Sequence, residues 1–149
     1  MPRTKAQTAA LLSSPEDTEA QFYEALLNGD LDSMMAVWAE DEDISCVPPS
    51  GNLLMGHAEV RAAFEALFEH SAVQVRVEHL RRQRHGDVAM HLVAEHVQMS
   101  TPEGPRDIYL LATNVYLQTA QGWRMVLHHA SPTAPEERSG TADGNATLH

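Results

Sequence analysis

Residues 73–78 read VQVRVE. Three valines alternate with Gln74, Arg76 and Glu78, the period of two that turns one face of a strand to a core and the other to water. Just before it, the apolar period is helical. Val60, Ala63, Phe64, Leu67 and Phe68 fall on one face of a helix that starts near His57. Beyond it, His85-Gly86-Asp87 marks a turn, and Val88 to Met99 reads as a second strand. Thr101-Pro102-Glu103-Gly104-Pro105 marks another turn. Asp107 to Gln118 and Trp123 to Ala130 complete a set of four strands, the last pair joined through Gly122. Four long strands with short turns predict an antiparallel meander.

The earlier part of the chain supplies the rest. Ser14-Pro15-Glu16-Asp17 is a helix start: Ser14 can cap, Pro15 suits the first helical position, and acids follow where the dipole favours them. That helix should carry Phe22, Ala25 and Leu26 on its apolar side and stop at Gly29. Asp30 can cap a short second helix bearing Leu31, Met34, Met35 and Trp38. Ile44 to Val47 reads as a short strand, stopped by Pro48-Pro49-Ser50-Gly51. Gly56 is read as permitting a tight turn into the third helix.

The predicted fold class is therefore α+β: a cone-shaped, curved antiparallel sheet of four long strands plus one short, packed on three N-terminal helices. A cone leaves a cavity between its concave face and the helices, the natural seat for a small-molecule ligand. Residues 1–13 read as a disordered arm, 14–132 as the domain, and 133–149, polar and rich in turn residues, as a disordered tail.

Composition excludes some function classes. The chain of 149 residues has a formal net charge of -11, against phosphate-backbone and nucleic-acid binding. No apolar run is long enough for a membrane span. Cys46 is the one cysteine, so no internal disulfide or thiolate metal site is available, and a cytoplasmic location is expected. HLVAEH at 91–96 does not match the helical zinc pattern. On a strand His91 and Glu95 share a face, and a histidine from the last strand could join them, but no supporting motif accompanies them, so cross-strand polar pairing is preferred to a metal. No cofactor is called for.

Three motifs carry a resemblance: ALLNGDLDSMMAVWAEDEDI at 25–44, PPSGNLLMGHAEV at 48–60 and TNVYLQTAQGWRMVLHHASP at 113–132. Together they resemble the SnoaL-like branch of the nuclear transport factor 2-like superfamily, near the calcium/calmodulin-dependent kinase association domain, over about residues 15–132. The resemblance implies the cone fold and a homodimer formed through the sheet. Its members include isomerases, dehydratases, epoxide hydrolases, cyclases and proteins that only bind or assemble. The isomerase members use a tyrosine and an aspartate that here become Phe22, with Tyr23 beside it, and Val47 before Pro48, so that activity does not transfer. In the closing motif His129 and Ser131 match the relatives, and Leu127 stands where a histidine is frequent.

Candidate site residues follow. His128 and His129 are neighbours on a strand, so they face opposite sides and cannot act as a pair. Strict alternation groups Trp123, Met125, Leu127 and His129 against Arg124, Val126, His128 and Ala130, and the resemblance favours His128 inward. Either histidine suits acid–base catalysis and is carried as a catalytic candidate, although hydrogen-bonded packing is the preferred reading of both. Trp38, Tyr23, His91 and Asn114 are the candidates for ligand contact. Trp38 also suits a core position. Asn114, an amide in an apolar strand, needs partners that a ligand or His128 would supply. Binding with proton transfer or hydration/elimination on a small apolar substrate is the expected function. A non-catalytic dimerisation or assembly domain is the alternative.

Overall fold

Ser14 caps the first helix, α1 (Pro15–Asn28), by accepting from Asp17 N at 3.0 Å. Gly29, at φ 63, ends it in the left-handed conformation that glycine adopts without strain. Asp30 then caps α2 (Leu31–Ala36) through Ser33 N at 3.1 Å. The structure, a computed structural model, describes residues 12–40 and 42–134. β1 (Ser45–Val47) and β2 (Leu54–Met55) precede α3 (Gly56–His70). Four long strands follow: β3 (Ala72–His85), β4 (Val88–Thr101), β5 (Gly104–Thr119) and β6 (Gly122–Pro132).

The strands form one curved sheet in the order β2-β1-β6-β5-β4-β3. β3 to β6 pair as the antiparallel meander that the alternation predicts. Two features differ from the expectation. β1 lies parallel to β6, so the sheet is mixed, and the loop read as leading into α3 contributes the extra two-residue strand β2. A short edge strand needs only a few ladder bonds, too weak a signal to separate from a loop in sequence.

A further difference lies within β6. Tyr116 pairs with Met125 but Val115 pairs with Leu127, so Val126 is an extra residue in a β-bulge. Its insertion breaks the strict alternation. Met125, His128 and Ala130 are all buried, although alternation places Met125 on the face opposite the other two. β3 carries a second register shift between His79 and Arg81.

The core lies between the helices and the concave face. One part gathers Phe22, Met34, Trp38, Val60, Trp123 and Met125, and the other Val73, Val93, Val97, Leu110 and Ala130. Tyr23, Leu26 and Leu67 touch both. Leu12, within the expected arm, is buried, and its carbonyl accepts from Trp123 N at 2.8 Å. Residues 1–11 of that arm and 135–149 of the tail lie outside the described residues. Among the described residues, no helix is long and apolar enough to cross a membrane.

Candidate functional site

α1 places Glu19 and Tyr23 one turn apart on the face that looks into the sheet. The sheet meets them with a row of polar residues set by register: His91 on β4 opposite Asn114 on β5, opposite His128 on β6. Glu95, four residues along β4 from His91, shares that inward face. His91, Glu95, Asn114 and His128 are all buried, as is Glu19.

Glu19 is the hub. Its Oε2 accepts from Tyr116 Oη at 2.6 Å and Asn114 Nδ2 at 3.0 Å, and its Oε1 meets His79 Nε2 at 2.5 Å. His91 Nδ1 lies 3.0 Å from Oε2, off the line of a good hydrogen bond. Burial pushes this carboxyl up, but His91, Tyr116 and Asn114 outweigh burial and hold it at about 2. Glu19 is therefore a carboxylate at neutral pH.

Asn114 passes this order on. Its Nδ2 donates to Glu19 and, at 3.1 Å, to Tyr23 Oη, while its Oδ1 lies 2.6 Å from His128 Nδ1. With the amide nitrogen committed to an ionised carboxylate, Oδ1 must accept from His128. Nδ1 of His128 thus carries the proton, and Nε2 keeps a bare lone pair. Burial, and then the charge of His129, lower His128 to about 4 against the pull of Glu19, so its ring is neutral.

Tyr23, its oxygen already an acceptor, donates to Glu95 Oε2 at 2.5 Å. Burial raises Tyr23 and Tyr116 well above the usual tyrosine range, so both stay protonated. Glu95 has the opposite balance from Glu19. Burial lifts it, the Tyr23 hydrogen bond pulls it down, the charge of Glu19 adds to the lift, and the net value is about 7. Two buried carboxyls on one network thus differ because one has several donors and the other has Tyr23.

Glu95 and His128 line a cavity of about 120 Å³ under α1 and α3. Its other walls are largely apolar, with Phe22, Phe64, Leu67 and Leu110 among them, and Cys46 contributes its thiol. The volume is below the ~300–1,000 Å³ of pockets for drug-sized ligands, which restricts the occupant to a few heavy atoms. A larger open groove of about 440 Å³ lies beside Ala39 and the β5–β6 ends. Arg124 lines it, but its guanidinium donates to the Trp38 and Gln121 carbonyls at 3.1 and 3.3 Å and pins those segments.

The structure separates the residues singled out from sequence. His128 faces the cavity, and His129 is exposed on the opposite side of the strand. Tyr23 reaches the cavity wall through Glu95. Asn114 and His91 stand behind that wall, and every hydrogen-bonding group of the Asn114 amide is used within the protein. Trp38 is fully buried against Phe22, with ring centroids 6.4 Å apart, and its Nε1 has no partner among the described residues. His91 and Glu95 share a face but turn to different partners, and among the described residues no group of three His, Cys, Asp or Glu side chains is placed to hold a metal ion. Sequence reasoning overlooked Glu19 and the proton chemistry of Glu95. A signal for Glu19 existed: it lies three residues before Phe22, an acid on the apolar stripe of α1.

The chain is similar to several solved structures. A proposed calcium/calmodulin-dependent protein kinase type II association domain from Thiobacillus denitrificans is 38% identical, with 83% of this chain and 98% of that one covered and a TM-score of 0.75. A proposed dehydratase of the NTF2-like family from Streptomyces avermitilis is 25% identical over 90% of this chain and 99% of that one, with a TM-score of 0.73. A ketosteroid isomerase-like protein from Erwinia carotovora shares the fold at 16% identity, covering 87% of this chain and 98% of that one, with a TM-score of 0.72. No curated protein matches the chain. The SnoaL-like domain profile matches residues 16–135, most of the length, and with the cone fold in hand the conclusion is direct: the chain belongs to the SnoaL-like domain family of the nuclear transport factor 2-like superfamily.

Proposed function

We propose that this protein binds a small, mainly apolar molecule in the cavity under α1 and α3 and exchanges a proton with it at Glu95. The observation that carries this reading is a carboxyl 3% exposed on a largely apolar wall, with Tyr23 as its hydrogen-bond donor and burial pushing it up to about 7. A structural carboxylate would be surrounded by donors, as Glu19 is. A carboxyl poised near neutrality gives and takes a proton with equal ease, the property that general acid–base catalysis needs. Neutral His128 offers a fixed lone pair in the same cavity lining. Elimination or addition of water, the type of reaction named for the Streptomyces relative, uses such a pair of groups.

The test is native mass spectrometry of the purified protein for a co-purifying small molecule, with Leu110→Trp as a variant that fills the cavity. Turnover of small hydroxy-ketones, enones and amino alcohols by the parent and by Glu95→Gln follows. A bound molecule lost in the filled variant, and turnover lost in Glu95→Gln, are the expected results. A filled cavity that changes neither binding nor turnover ends the proposal.

A second property, self-association, is favoured by the convex side of the sheet. Val88, Met90, Val115, Leu117 and Leu127 form a continuous outward patch by register, with Val88 and Leu117 exposed. An apolar patch of this kind on a sheet face suits a second copy of the chain. The free, buried Cys46 accords with a reducing, cytoplasmic setting.

A further inference from the structure

The cavity has a hydrogen-bonding polarity of its own. Asn114 fixes the His128 proton on Nδ1, so the nitrogen left for the cavity, Nε2, accepts and does not donate. Tyr23 spends its proton on Glu95 Oε2. Among the described residues, Glu95 is the one carboxyl in the lining, and no lysine or arginine joins it. An ionised Glu95 therefore makes the polar corner a pair of acceptors, and beyond the Tyr23 hydroxyl already spent on Oε2 the described lining offers them the weak S–H of Cys46 and no N–H or O–H donor of a side chain. The ionised Glu19 behind the wall, and the net charge of -11, give the surrounding field the same sign.

From this we infer that the occupant is a small protonated amine with a short apolar tail, its ammonium donating to Glu95 and to Nε2 of His128. This rests on the cavity being a ligand site and adds the class of ligand. A carboxylate is rejected because it meets two acceptors and a like charge. An alcohol can donate once, but it leaves the Glu95 carboxylate without a counter-charge. Burial holds Glu95 near neutrality because no cationic side chain among the described residues of the lining balances its charge, and an ammonium would balance it.

A size-matched series tests the class. Butylamine, n-butanol and butyrate share a tail and differ in the head. Each is titrated into the full chain above the Glu95 pKa, followed by calorimetry and by the NMR resonances of the Ala130 and Leu110 methyl groups. Butylamine is expected to bind at least about tenfold more tightly than n-butanol, the scale of one charge-assisted contact, with butyrate weakest. In Glu95→Gln the amine advantage should vanish while alcohol binding persists. Butyrate or n-butanol binding as tightly as butylamine overturns the amine assignment and leaves the cavity a ligand site. If none of the three moves the cavity resonances, both conclusions fall.

Discussion

Glu95 and His128 share one cavity wall and pull stability in opposite directions as pH changes. Burial lifts Glu95 from 4.5 to about 7, so the folded chain keeps a proton that the unfolded chain gives up. That contribution is complete below 4.5 and is lost as pH rises through 7. His128, lowered from 6.5 to about 4, stays neutral where the unfolded chain takes a proton. Its contribution is present above 6.5 and is lost as pH falls through 4, so the two slopes oppose each other. Glu95→Gln removes one of them. Relative to the parent, that variant should gain on the order of 3 kcal/mol between acid and mildly basic pH, read from urea unfolding at a series of pH values. A difference between the two proteins that is the same at every pH contradicts the assignment. Tyr23→Phe removes the hydroxyl that lowers Glu95, so the Glu95 carboxyl should titrate higher still in a carbon-detected NMR experiment. An unmoved titration shows that Tyr23 does not hold it. Little of this was legible in the sequence. Tyr23, His91, Asn114 and His128 stand out as polar residues in apolar stretches, but their partners depend on strand register and on the approach of α1. Glu19 and Glu95 read as ordinary acids until both are seen against the same network.

At the scale of elements, local chemistry was readable and bulges were not. Ser14, Gly29 and Asp30 act where their side chains and φ values predict, because caps are decided within a few residues. The Val126 bulge has no such local signature, and it is what brings Met125 and His128 to the same side. Deleting Val126 restores alternation and turns Trp123 and Met125 away from the core. Cooperative unfolding of the domain should then disappear in thermal denaturation followed by near-UV circular dichroism. Retention of a sharp transition would mean the bulge is dispensable. Gly56 is a milder case. At φ 84 it makes the turn into α3, and a Cβ there would stand 2.6 Å from Glu42 Oε1. The Glu42 side chain can swing aside, so the backbone strain dominates. Gly56→Ala should cost about 1–2 kcal/mol, and a loss of only a few tenths by urea unfolding would refute the strain.

For the whole molecule, the alternating valines of β3 and the helical stripe of α3 were enough to fix the class of fold. The mixed edge was not readable, since β1 finds β6 only across some eighty residues of chain. The convex patch makes its own prediction. The parent should sediment as a dimer at micromolar concentration, and Val115→Arg, in the centre of the patch, should give a folded monomer. A parent that is already monomeric removes that face as an interface. The thiol in the cavity wall has a separate consequence. Burial pushes the Cys46 thiol from 9 up to about 12, which leaves roughly a thousandfold less thiolate than in an open chain. The chain therefore carries its own stopwatch: under a thiol-reactive dye, the pace of labelling counts how often the chamber unlatches, and a tenant inside slows the clock.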